Sequence, residues 1–172
     1  QRTYPWRSFI VGANDGAIAA SDMVYRLASP CQMSDVSWIK PGHAAWDWWN
    51  NSALYGVPFK AGFNNDTYRF FIDFAQRFGL EYVLIDEGWF STQSTNIYDL
   101  AHDINLKALV QYANERGVGI ILWAGYLSLA RDLENAISHY SAMGIKGFKI
   151  DFLNRDDQPM LQFMQRTAQL CA

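Results

Sequence analysis

Beyond Pro41-Gly42 the chain alternates short apolar runs with amphipathic stretches, and the alternation repeats four times. His43 to Trp49 predicts a first strand, and the polar stretch from Asn50 to Gly62 reads as the loop that follows it. Asn65 and Asp66 can cap a helix running to about Phe78, closed by Gly79. Within it Phe70, Phe71, Phe74 and Phe78 fall near helical spacing and predict one buried face. Glu81 to Ile85 is short, apolar and partly β-branched, the pattern of a buried strand. It stops abruptly at Asp86-Glu87-Gly88-Trp89. Asn105 caps a second helix from Leu106 to Arg116, which Gly117 ends. Gly119 to Trp123 is the third strand, and Leu129 to Met143 the third helix, closed by Gly144. Gly147 to Ile150 is the fourth strand, ending at Asp151, and Pro159 suits the first turn of a last helix.

Residues 1–40 lack this regularity. Arg7 to Gly12 reads as a short strand, Asn14-Asp15-Gly16 as turn chemistry, and Asp22 to Leu27 as one turn of helix or a connector. This stretch resembles the tail of a preceding domain or a lead-in, and 41–172 the main folded body. Four strand–helix units give an α/β fold with a parallel sheet. Two architectures compete: an open doubly wound sheet, and part of a (β/α)8 TIM-type barrel, which takes about 250 residues. Four units make half a barrel, with two open edges and an uncovered inner layer. Such a half is expected to pair with the remaining half or with a second copy of the chain.

Composition narrows the function classes. The 172 residues carry 14 basic and 17 acidic side chains, a formal charge of −3, and half of them are hydrophobic. That excludes a disordered tail, and the absence of a basic stripe argues against a nucleic-acid partner. No apolar run is long enough to span a membrane. Cys31 and Cys171 have no metal-cluster spacing, and one long-range disulfide is the other arrangement they allow. His43, His102 and His139 show no metal spacing either, and His139 falls on a helix surface. The chain opens on Gln1-Arg2-Thr3-Tyr4-Pro5-Trp6, without Met or a signal peptide, and is expected to be processed or a piece of a longer protein.

The informative chemistry is positional. Each strand ends in polar or aromatic residues: Trp46-Asp47-Trp48-Trp49, Asp86-Glu87-Gly88-Trp89, Trp123-Ala124-Gly125-Tyr126, and Lys149-Ile150-Asp151. Active sites of α/β barrels, and ligands of open α/β sheets, lie at that C-terminal rim. Acids, a lysine and tryptophans converging there suit a sugar: indole faces pack on the apolar faces of pyranose rings, and acids and lysine take hydroxyls. Glycoside cleavage needs two carboxyl groups, about 5–5.5 Å apart for retention and about 6.5–9.5 Å for inversion. Plainer readings stand beside this one. Asp47 can be a buried structural acid. Asp86 and Glu87 are adjacent and point to opposite faces, so one of them faces the site and the other fixes a loop. Lys149 and Asp151 share a face and can form a simple ion pair. Asp156 and Asp157 precede a helix and are read as caps. No Gly-rich phosphate loop follows a strand, which counts against a dinucleotide site.

Several motifs, in order and spacing, resemble glycoside hydrolase family 97, a family of α-glucosidases and α-galactosidases. They are Ser37-Trp38-Ile39-Lys40-Pro41-Gly42, Trp46-Asp47-Trp48-Trp49, Thr67-Tyr68 with Ile72-Asp73-Phe74-Ala75, Asp86-Glu87-Gly88-Trp89, Gly147-Phe148-Lys149-Ile150-Asp151-Phe152, and Arg155-Asp156-Asp157-Gln158. The match runs from about residue 4 to the end. The resemblance implies a β-sandwich, a central (β/α)8 barrel and a C-terminal β-domain. This chain would then hold the end of the sandwich or a linker in 1–40, and barrel units one to four in 41–172. It further implies that Asp151 is the nucleophile of a retaining enzyme, since inverting members carry no acid there and use a glutamate near the end of strand three. Strand three here ends in Trp123-Ala124-Gly125-Tyr126. The expected substrate is a terminal α-linked hexose, an α-galactoside above all; an inverting α-glucosidase and a non-catalytic sugar-binding fragment are the alternatives. By the same resemblance Lys149, Glu87, Asp47 and a tryptophan of the strand-one cluster, Trp46 or Trp49, line the sugar site, and the strand-end position adds Trp89 and Trp123. The acid/base, a glutamate, comes later in the barrel, past residue 172. Calcium is the implied cofactor, with most ligands outside this stretch, and the implied location is periplasmic or secreted.

Overall fold

The computed structural model describes residues 7–31, 33–91 and 95–172. The chain divides into two compact units, Gln1–Trp38 and Ile39–Ala172. The opening hexapeptide Gln1 to Trp6, where the family resemblance was expected to start, lies outside the described residues.

The first unit contains two single-turn helices, α1 (Asp15–Ala19) and α2 (Met23–Leu27). Asn14 caps α1 by accepting from the Ala17 N–H, so the expected turn at 14–16 is the entry to a helix. The strand expected at Arg7 to Gly12 does not form: these residues are irregular and mostly exposed, and no strand among the described residues pairs with them.

The second unit is a four-stranded sheet, β1 (Ala44–Trp46), β2 (Tyr82–Ile85), β3 (Gly119–Gly125) and β4 (Gly147–Asp151). The strands lie in the order β1-β2-β3-β4 and every pairing is parallel. A doubly wound sheet reverses its strand order at a switch point, and this one runs straight through. Helices α3 (Asn65–Phe78), α4 (Leu106–Asn114), α5 (Tyr126–Ala130), α6 (Leu133–Met143) and α7 (Gln158–Cys171) fill the connections and the C-terminus.

The register decides which residues share a face. Trp46 lies level with Leu84, Leu84 with Ile121, and Ile121 with Gly147; two residues further, Trp123 lies level with Lys149, and Gly125 with Asp151. The alternate row, Ala45, Val83, Ile85, Ile120, Leu122 and Ala124, is buried in one core with Tyr68, Phe71, Ile72 and Ala75 of α3 and Leu106, Leu109 and Ala113 of α4. One face of the sheet is thus sealed by helices. The other, carrying Leu84, Ile121, Lys149 and Asp151, is half-buried.

Four sequence expectations shift in detail. The first strand is only three residues long, because Asp47 leaves the extended conformation and a 3-10 turn, Trp48–Asn50, follows. The helix cap falls on Asn64, whose side chain accepts from the Thr67 N–H, and Gly79 closes the helix in the left-handed region at φ 68°. The expected phenylalanine face is not the buried one. Phe71 is buried, but Phe70, Phe74 and Phe78 are 39%, 42% and 58% exposed, since the stripe that meets the sheet is Tyr68, Phe71, Ile72 and Ala75. The helix expected at 129–143 is two, α5 and α6, broken at Arg131-Asp132. Cys31 and Cys171 are both free thiols, and no helix among the described residues is long and apolar enough to cross a membrane.

Candidate active site

The half-buried face of the sheet ends, at the C-terminal edges of β1, β2 and β4, in one charge cluster. Asp86 is its centre. The residue follows the last position of β2, and its side chain is only 4% exposed. Its Oδ2 accepts from Lys149 Nζ at 2.7 Å and from Trp46 Nε1 at 2.6 Å. Its Oδ1 accepts from the Glu87 N–H at 2.9 Å. Lys149 therefore reaches back across β3 to β2, and its ammonium also lies 4.6 Å from the centre of the Trp46 ring, within cation–π range. The same ammonium is 3.7 Å from Asp151 Oδ2.

Asp151 ends β4 with its side chain 42% exposed. Oδ1 accepts from the Phe152 N–H at 2.8 Å, and Oδ2 from Trp123 Nε1 at 3.2 Å. Phe152 sits at φ 59°, in the left-handed region that a bulky residue enters only at a cost of about 1–2 kcal/mol. The Phe152 N–H, then the Trp123 indole, then the Lys149 charge hold the Asp151 carboxyl below the usual carboxylate range. The result is an ionised, solvent-facing carboxylate with lone pairs to spare.

Asp47 is buried behind this cluster. Its Oδ1 accepts from the Asp86 N–H at 3.1 Å, and its Oδ2 from Tyr68 Oη at 2.9 Å and Ser52 Oγ at 3.2 Å. Burial pushes its carboxyl above the ordinary range against the pull of those donors, and burial together with Asp47 pushes the Tyr68 phenol up as well. Asn51 and Ser52, at φ 51° and 52°, are the other two non-glycine residues in the left-handed region among those described. The strained positions thus fall in the loops after β1 and β4, where such strain commonly marks a working site.

The structure sorts the expected sugar ligands. Lys149, Asp151 and Trp46 come together as one group. Glu87 is exposed beside them. Trp49 is 82% exposed and packs edge-on against Trp46, with ring centres 5.5 Å apart. The other three are buried. Asp47 is 1% exposed, and both its oxygens accept hydrogen bonds inside the protein. Trp89 is fully buried; its indole N–H donates to the Trp123 carbonyl at 2.8 Å, so it braces β3 from the core. Trp123 is 4% exposed, covered by Phe90 and Phe152, and acts on Asp151 through its indole N–H. Asp86, which the sequence leaves open between the site and the loop, joins this group by holding Lys149 and the Trp46 indole. Asp86 turns in to the cluster, while Glu87 next to it is exposed. Asp157 caps α7 by accepting from the Met160 N–H. Among the described residues no three His, Cys, Asp or Glu side chains converge in a way that could hold a metal ion.

Comparison with known proteins finds relatives over nearly the whole chain. The family model for glycoside hydrolase 97 matches residues 46–172. A retaining alpha-galactosidase of Bacteroides thetaiotaomicron is 51% identical over 171 residues, 99% of this chain and 26% of that protein. A probable retaining alpha-galactosidase of Streptomyces bingchenggensis is 34% identical over 164 residues, 92% of this chain and 25% of that protein. The chain therefore spans about a quarter of the length of the curated relatives it matches. Among solved structures, a variant of a glycoside hydrolase family 97 enzyme from Pseudoalteromonas sp. strain K8 superposes with a TM-score of 0.74 at 22% identity, covering 90% of this chain and 28% of that one. A beta-arabinopyranosidase gives 0.66 at 24% identity, covering 90% and 24%. At these identities the two structures speak for the fold alone.

Proposed function

Since the chain belongs to glycoside hydrolase family 97, we propose that it carries the nucleophile-bearing part of a retaining α-galactosidase, with Asp151 as the nucleophile. The observation that supports this most directly is Asp151 itself: an exposed, ionised carboxylate at the strand end, oriented by two donors and beside a lysine. The straight-through parallel order and the helices on one face support reading the four units as the first half of a (β/α)8 barrel. The remaining barrel half then covers the open face, and residues 1–40 form the end of a preceding β-sandwich or a linker.

The reaction proceeds by double displacement. Asp151 attacks the anomeric carbon of a terminal α-linked hexose as the bond to the leaving oxygen breaks, and a second carboxyl group protonates that oxygen. This acid/base lies past residue 172, so hydrolysis belongs to the full-length protein. Water then attacks the glycosyl–enzyme ester, releasing the sugar with its anomeric configuration retained. Lys149 keeps Asp151 ionised and, with Glu87, binds sugar hydroxyls; Trp46 and Trp49 offer the apolar surface for the ring. Calcium, the cofactor that the family resemblance implies, would take most of its ligands from other segments; among the described residues no three His, Cys, Asp or Glu side chains converge on one point. A periplasmic or secreted location is part of the same reading and rests on the family resemblance.

The test is Asp151→Ala in the full-length protein against an aryl α-galactoside. Hydrolysis is abolished, and azide restores aryl release with formation of the β-galactosyl azide. Undiminished hydrolysis by the variant removes Asp151 from the mechanism. Proton NMR of the wild-type reaction shows α-galactose first; β-galactose as the first product refutes retention.

A further inference from the structure

Phe63 stands between two cavities. One, of about 20 Å3, meets the charge cluster at Asp86 and is lined by Asp47, Trp48, Ser52, Asp86 and Glu87 together with Phe63. The other, of about 520 Å3, is lined by Gly88, Phe90, Ser91, Asp99 and His102, again with Phe63. The ring is 44% exposed, and the chain on either side of it is held in place. Just before it, the Gly62 N–H donates to Thr67 Oγ1 at 3.1 Å, and Thr67 is fully buried. Just after it, Asn64 caps α3 and its amide donates to the Lys60 carbonyl at 2.9 Å. Across the ring lies Gly88 at φ 121°, where a Cβ would come within 2.6 Å of the Phe63 ring carbons. The missing side chain lets Phe63 close directly on the backbone that carries Asp86 and Glu87.

We propose that Phe63 is the end wall of the sugar pocket, the residue that confines the site to an unsubstituted terminal hexose. This rests on the glycosidase reading given above. The anomeric carbon has to face Asp151 on β4. Asp86 and Glu87 follow β2, two strands away, which is about 10 Å. The ring carbons remote from the anomeric centre therefore point toward β2 and Phe63. A further sugar attached to one of them runs into the phenyl ring, although a cavity large enough to receive it lies immediately beyond.

The experiment uses the full-length protein with Phe63→Ala and Phe63→Leu. Each is assayed on an aryl α-galactoside and on the same compound carrying a second hexose on its C6 oxygen. The ratio of kcat/KM for the substituted over the plain substrate rises at least tenfold in Phe63→Ala and by less in Phe63→Leu. The leucine variant keeps an apolar group over Gly88 and supplies the reading where the alanine variant does not fold. A ratio unchanged from wild type in the folded variants overturns the proposal. A wild-type protein inert on the plain galactoside but active on another aryl α-hexoside refutes the galactoside assignment instead, and the same ratio is then measured on derivatives of that hexoside.

Discussion

Lys149 is held by Asp86, with Nζ 2.7 Å from Oδ2, and reaches Asp151 only at 3.7 Å. The nearly buried acid fixes the ammonium, and the exposed acid borrows its charge. Removing one partner of a buried pair leaves the other uncompensated. In the full-length protein Asp86→Asn keeps the shape but loses the charge that anchors Lys149 and accepts the Trp46 indole N–H. A hydrogen bond to a charged group contributes about 1.5–3 kcal/mol, so kcat/KM should fall by about ten- to a hundredfold. Steady-state kinetics check this, and a variant as active as wild type shows that Lys149 does not need Asp86.

The acid limb of the pH–rate profile reports the ionisation of Asp151 in the free enzyme. That carboxyl is depressed below 3.8 by the Phe152 N–H, the Trp123 indole and Lys149. The limb should therefore lie below the ordinary carboxylate range. Trp123→Phe deletes one donor to Oδ2 while keeping an aromatic ring against Phe152 and Phe90. The expected change is a limb displaced to higher pH; no displacement, or one to lower pH, contradicts the role given to the indole. The linkage to stability has the matching sign: the contribution of Asp151 is present above 3.8 and fades as the pH falls through its lower folded value.

The order of elements is legible in the sequence because helix caps and strand ends are local chemistry. Asn105, Gly79, Gly144 and Asp151 each mark a boundary that the structure keeps. What sequence spacing leaves open is rotation about each element's axis. Phe70, Phe74 and Phe78 follow a helical row as well as Tyr68, Phe71 and Ala75 do, and only contact with the sheet selects the second row. The same holds at the rim. Trp46, Trp89 and Trp123 look alike as strand-end tryptophans, yet one is half-buried beside Lys149, one is sunk in the core, and one is tucked behind Asp151. Parallel register sets Trp123 level with Lys149, and no local signal encodes that pairing.

Asp47 and Asp151 respond to pH in opposite senses. Burial raises the Asp47 carboxyl above 3.8. Its contribution to stability is therefore fully present below the unfolded value and is lost as the pH rises through the elevated folded one. Asp47→Asn is neutral throughout and does not follow that change. Its stability deficit relative to wild type should be larger near pH 4 than at pH 7. Denaturant unfolding of the folded protein at the two pH values measures this difference, and a deficit that grows toward neutral pH shows that the three donors around Asp47 outweigh its desolvation.

Gly88 and Phe63 should be energetically coupled. Gly88→Ala carries two penalties: φ 121° is a conformation that a residue with a Cβ rarely adopts, and the new Cβ lands 2.6 Å from the Phe63 ring. The first is independent of Phe63 and costs about 1–3 kcal/mol. The second disappears when the ring is shortened. In a double-mutant cycle Gly88→Ala should therefore be less damaging in a Phe63→Ala background than in the wild type, with an interaction energy in the range of about 0.5–3 kcal/mol typical of residues in contact. Unfolding free energies of the four proteins give that number. Strict additivity means the backbone of Gly88 shifts away freely, and the close approach of Phe63 to the end of β2 is then not a fixed feature of the site.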